Sequence, residues 1–208
     1  MGKIVMKKKS TSTDMTAMCD VAFLLLTFFI LTATAKTPEV LPVDTPQSTV
    51  QTKLPADNLS TLTIGKVNGK SAVFFDLKGR DVRRRALEFM AEKYNMTFTE
   101  KESEEFGLME SFGVPMESLK QILDMKAADR SKANQPGIPK DSLDNQLKDW
   151  ILYSRKANIE VNNDKELQFA IKGDAKEQYP AIKQVMDMLQ DQRINTFNLV
   201  TGLRGKNF

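Results

Sequence analysis

Residues Met15–Ala35 read MTAMCDVAFLLLTFFILTATA, the one long apolar run in an otherwise polar chain. As an α-helix, a run of this length reaches about 31 Å, close to the roughly 30 Å core of a bilayer. Val21, Ala22, Phe23, Leu24, Leu25, Leu26, Phe28, Phe29, Ile30 and Leu31 leave no polar face wide enough for water. The stretch therefore predicts a transmembrane helix over 15–35. A cleaved signal peptide is the competing reading. Lys7, Lys8 and Lys9 precede the apolar block, and Ala33-Thr34-Ala35 resembles a cleavage site. Against it stands Asp20, since a discarded segment has no use for an acid beside its apolar block.

Lys3, Lys7, Lys8 and Lys9 precede the run, whereas Lys36 and Lys53 are the basic residues that follow closely. This bias places residues 1–14 in the cytoplasm and the rest outside, which in a bacterium is the periplasm. A single-pass protein of the inner (cell) membrane is the expectation.

The chain has 208 residues and a net charge of +3, with 30 basic residues scattered among 27 acidic ones. No basic stripe stands out, so no nucleic-acid partner is expected. Arg83-Arg84-Arg85, followed by Glu88 and Glu92, reads as a solvated helix face. There is no histidine, which removes histidine-based nucleophilic catalysis and imidazole metal sites. The lone Cys19 allows no internal disulfide and reads as an apolar filler. No nucleophile–base pair or metal cluster can be assembled from spacing, so neither an enzyme nor a cofactor is expected.

Residues 36–57, KTPEVLPVDTPQSTVQTKLPAD, hold four prolines and predict an extended linker, either free or adding a strand to a partner. Residues 58–208 then form one domain. Leu62 and Ile64, the Asn68-Gly69 turn and Ala72–Phe75 predict a hairpin. Val82, Ala86, Phe89, Met90 and Tyr94 mark a helix over 80–95. Residues 97–139 read as a surface insertion, part helical and part mobile. Its Glu100, Glu102, Glu104 and Glu105 lack calcium-loop spacing. A helix over 141–153, capped by Asp141 or Ser142, presents Leu143, Leu147, Trp150 and Ile151. Ile159 and Val161 alternate briefly, and Leu167, Phe169 and Ile171 make a clear strand. Pro180 opens a helix to about Gln192, and Phe197, Leu199 and Thr201 form a last strand. The fold class is α+β: an N-terminal transmembrane helix, a Pro-rich linker and a small periplasmic sheet-and-helix domain.

Asp20 is the chemically pointed residue. An acid at the centre of a span costs about 2.5–3.5 kcal/mol on insertion scales, and less nearer the end. Thr27 and Thr34 follow at seven and fourteen residues, so the three share one helix face beside Leu24 and Leu31. Such a polar seam suits packing against other helices, which another protein or another copy must supply. The plainer readings are threonines bonded back to their own helix and an acid resting at the interface.

MTAMCDVAFLLLTFFILTAT resembles the membrane segment of the ExbD/TolR family of biopolymer transport proteins. LQFAIKGDAKEQYPAIKQVMDMLQDQRINTFNLVTG, from Leu167, resembles the family's closing strand–helix–strand. LTIGKVNGKSAVFF, from Leu62, resembles its first hairpin. Leu54-Pro55 resembles its linker motif, with Leu41-Pro42 a second candidate. The likeness covers about two thirds of the chain, and segment 97–139 exceeds the usual domain. The resemblance implies a homodimer inside a ring of an ExbB/TolQ-like multi-span protein. Protons would pass by way of Asp20, and the motion would reach a TonB-like protein, or serve envelope maintenance in the TolR branch. Leu54, Pro55, Leu41 and Pro42 would be the partner contacts. An anchored adaptor domain without ion traffic is the alternative.

Overall fold

The computed structural model describes residues 15–33, 39–48, 54–55, 57–130, 132–141 and 144–203. Residues 1–14, Thr34, most of 49–56, Ser142 and Leu143 carried expectations that lie outside the described residues. Contacts divide the chain into two units, Met1–Pro38 and Glu39–Phe208.

The first unit contains α1, Met15–Thr32, an 18-residue helix of mean hydropathy 2.0, long and apolar enough to cross a membrane. None of its side chains is buried by protein. A helix with large apolar groups on every side is stable in hydrocarbon rather than in water unless other apolar surface covers it.

The second unit runs β1 (Gln47–Ser48), β2 (Leu59–Val67), β3 (Lys70–Leu77), α2 (Arg80–Lys93), α3 (Glu100–Leu108), β4 (Ser111–Phe112), α4 (Met116–Asp124), α5 (Ala127–Arg130), α6 (Gln146–Val161), β5 (Gln168–Gly173), α7 (Tyr179–Asp191), β6 (Phe197–Val200) and β7 (Gly202–Leu203). The main sheet has the order β4-β3-β2-β5-β6. The β2–β3 hairpin turns on Asn68 and Gly69, whose φ of 51° and 78° are the positive pair that a tight primed turn demands. β5 runs parallel to both β2 and β6.

Register decides which side chains meet. Leu62 pairs with Phe75 and Ile171, and Ile64 pairs with Val73. With period-two alternation these residues share one face. Val82, Ala86 and Met90 of α2, Leu147, Trp150 and Ile151 of α6, and Val185 and Leu189 of α7 join them in one buried core. This is the α+β architecture read from the sequence.

Segment 97–139 differs from the surface insertion expected. Phe106, Met109, Phe112, Val114, Met116, Leu119, Ile122, Leu123 and Ile138 are all buried in the core. Trp150, at 1% exposure, has its ring centroid 5.7 Å from that of Phe106 and 4.8 Å from that of Phe112. Buried polar side chains tie the segment down. Gln146 accepts from Met116 N at 2.8 Å, and Gln135 accepts from Gly113 N at 2.8 Å. Arg130 donates to the Leu123 and Met125 carbonyls and to Glu105 at 2.9, 2.9 and 2.7 Å.

Three further readings are corrected. The sixth helix starts at Gln146, because Asn145 is the residue whose side chain accepts from Lys148 N. It continues through Ile159 to Val161, so their alternation belongs to a helix that buries Trp150, Ile151, Ser154, Ala157 and Asn158. Arg83, read as solvated, turns inward. Its Nε donates to Leu77 O at 2.6 Å, and its Nη1 donates to Gly107 O at 3.0 Å and to Met109 O.

Candidate functional site: an acid on the apolar helix and the linker contacts

Asp20 stands on α1 within an all-apolar turn and is the one charged residue between Met15 and Ala35. Thr27 lies on the same face about 10.5 Å further along the axis. Its Oγ1 donates to the Leu24 carbonyl at 2.9 Å, and Thr32 Oγ1 donates to Phe28 O at 2.7 Å. Back-bonding of this kind satisfies a hydroxyl inside hydrocarbon without a partner helix. It leaves the hydroxyl oxygen a lone pair with which to accept from a neighbour. Thr34 lies outside the described residues. Thr16, one turn before Asp20, is on the same face, and the i−4 spacing that marks it was already in the sequence. Cys19, adjacent to the acid, is a free and exposed thiol.

The two linker motifs occupy different surroundings. Leu41 is half-buried and Pro42 exposed, within a stretch where Leu41, Val43 and Thr45 point inward and Pro42, Asp44 and Pro46 outward. Leu41 and Val43 press on Gly65 of β2. A Cβ there would meet Val43 Cγ1 at 2.9 Å and Leu41 Cδ2 at 3.1 Å. The stretch is pinned by Ala175 N to Asp44 O at 2.7 Å and Gly202 N to Pro46 O at 2.9 Å. It ends in β1, paired in parallel with β7. Residues 39–48 thus add to their own domain, where a free tether or a strand for a partner was expected.

Leu54 is 38% exposed, and Pro55 lines an open cleft of about 890 Å³ with Asn58, Arg155, Arg193 and Phe197. No described contact brings Leu41-Pro42 and Leu54-Pro55 into one site. Among the described residues, no group of histidine, cysteine or acidic side chains is placed to hold a metal ion.

The family model for biopolymer transport protein ExbD/TolR matches residues 6–203, nearly the whole chain. No curated protein and no solved structure gives a significant match. With an apolar helix of spanning length followed by a sheet-and-helix domain, all within one continuous match, the chain belongs to the ExbD/TolR family of biopolymer transport proteins.

Proposed function

We propose that this chain is the ion-driven subunit of an inner-membrane complex of the ExbB–ExbD type. In this reading it uses the proton motive force to energise TonB-dependent transport across the outer membrane. Residues 1–14 lie in the cytoplasm, α1 crosses the membrane, and the domain lies in the periplasm. Two copies stand within a ring of an ExbB/TolQ-like multi-span protein.

The observation that carries the proposal is Asp20, a carboxyl group on a helix with no other charge. A carboxylate is poorly solvated by hydrocarbon and needs partner helices or water. Once protonated it is neutral, and its helix face can meet an apolar neighbour. Loading from one side of the membrane and release to the other couple that change of partner to the potential, worth about 2.3 kcal/mol per charge per 100 mV. Thr27 and Thr34 extend the polar seam along which the proton is handed. Leu54 and Pro55, with the outward Pro42, contact the TonB-like protein, whereas Leu41 is packed on Gly65 of its own domain. No cofactor and no covalent step is needed, so the chain is not an enzyme in this reading.

Replacing Asp20 by Asn tests the proposal. The variant is expected to insert and assemble normally and to lose energised uptake. Uptake at the wild-type level would leave an anchored adaptor domain as the reading. An envelope-integrity defect with intact uptake would assign the Tol-type output instead.

A further inference from the structure

A strand at the edge of a sheet carries unpaired N–H and C=O groups on alternate residues and is a template for another chain. On β3 these residues are Ser71, Val73, Phe75 and Leu77, and main-chain groups of the last three are engaged. Ile138 N donates to Val73 O at 2.9 Å. Phe75 pairs with Phe112 in β4. Arg83 Nε donates to Leu77 O at 2.6 Å. The first two occupants, Ile138 and Phe112, lie 26 residues apart within segment 97–139. The third is a guanidinium that also holds Gly107 and Met109 of that segment.

The occupants are clamped in place. Gly137 N donates to Gly113 O at 2.7 Å, and Gln135, 3% exposed, bridges Gly113 N and Arg130 O at 2.8 and 3.0 Å. The same loops close over the sheet. A Cβ on Gly113 would meet the Phe74 ring at 2.5 Å, and one on Gly137 would meet Ala72 Cβ at 2.8 Å. Gly137 has φ +101°, which side chains other than glycine's rarely allow. At the other end of the sheet, β6 pairs with β5 alone among the described residues.

We infer that segment 97–139, together with Arg83 of α2, is an edge guard: they occupy the β3 edge from Val73 to Leu77 and shut out strand addition by any other chain there. Two short main-chain contacts and one arginine accomplish this, without a long strand that would present a new edge of its own. The segment thereby confines association of the domain, whatever the partner, to surfaces other than β3. The inference does not depend on Asp20 or on ion transport.

The test is hydrogen exchange by mass spectrometry on the full chain in detergent, with and without a synthetic MESFGV peptide that copies residues 109–114. In the wild type, amides within 71–77 are expected to exchange slowly and to gain no protection from the peptide. In Gly137→Val, with β2 and β5 still protected, they are expected to exchange at least tenfold faster and to regain protection when the peptide is added. Exchange of 71–77 at the rate of a solvent-facing edge in the wild type overturns the inference. So does capture of the peptide there by the wild type, or a folded Gly137→Val whose 71–77 amides are unchanged. Should that variant fail to fold, the two wild-type measurements decide alone.

Discussion

Lys172 Nζ on β5 lies 2.6 Å from Glu39 Oε2, an ion pair joining residues 133 apart in sequence. It fastens the start of the linker stretch to β5. Both groups are partly solvated, so the pair contributes about 0.2–1 kcal/mol and weakens with salt. Lys172→Ala is expected to leave global stability within about 1 kcal/mol of the parent. It should speed exchange at the Ala175 and Gly202 amides, which hold Asp44 and Pro46. Unchanged exchange at both would show that Leu41 and Val43 alone keep the stretch in place.

Phe106→Ala measures whether segment 97–139 belongs to the core. Phe106 is 1% exposed and stacks on Trp150 with centroids 5.7 Å apart. Truncating a buried aromatic costs about 3–5 kcal/mol. A change on a surface insertion costs within about 0.5 kcal/mol. The chain has one tryptophan, so urea denaturation followed by its fluorescence reads the difference directly.

Asp76 sets a pH dependence. Burial raises its carboxyl pKa, and the nearby Lys78 and Arg83 offset part of that rise. Its Oδ1 is buried and has no hydrogen-bond partner. With the folded pKa above the unfolded one, the folded state holds this proton more tightly. The contribution of Asp76 is therefore most favourable at low pH. It declines as pH rises through the interval from the unfolded to the folded pKa, and is flat above that. Asp76→Asn is expected to be at least as stable as the parent at pH 7. The difference between the two should grow from pH 4 to pH 7 in urea denaturation. A parent more stable than the variant at pH 7 would mean that Lys78 and Arg83 outweigh the burial.

Thr27→Val separates the seam from simple packing. The substitution is nearly isosteric and removes the bond to Leu24 O, so the helix should insert as before. A partial loss of energised uptake is expected; full uptake would assign the threonine to back-bonding alone.

The apolar helix and the hairpin could be read from sequence because their signals are local. Twenty-one residues of hydrocarbon and an Asn-Gly turn need no knowledge of the rest of the chain. Phe169 and Ile171 alternate in a strand paired on both sides, and the pattern survives. The misreadings share a cause in long-range pairing. Arg83 looks solvated until Gly107 and Met109, 24 and 26 residues on, bring carbonyls to it. Glu100, Glu102, Glu104 and Glu105 read as a solvated acidic run. Glu100 and Glu104 face solvent on α3, Glu102 closes a capping box with Thr99, and Glu105 pairs with the buried Arg130, on a helix that buries Phe106. In the linker, prolines correctly forbade a helix. The inward alternation of Leu41, Val43 and Thr45 was the overlooked sign that the stretch has a surface to lie on. Asp20 stands out in the sequence by its rarity among apolar residues, and the role proposed for it rests on that property rather than on the fold.

Cys19 is the chain's one thiol, it is exposed on α1, and it immediately precedes Asp20. A nitroxide or fluorophore attached by maleimide chemistry would therefore land beside the carboxyl group without any mutation. Successive residues on an α-helix are about 100° apart, so the label would face the flank of the seam rather than cover it. Distances between two such labels would report directly on how many copies share one assembly and on whether they turn when a membrane potential is applied.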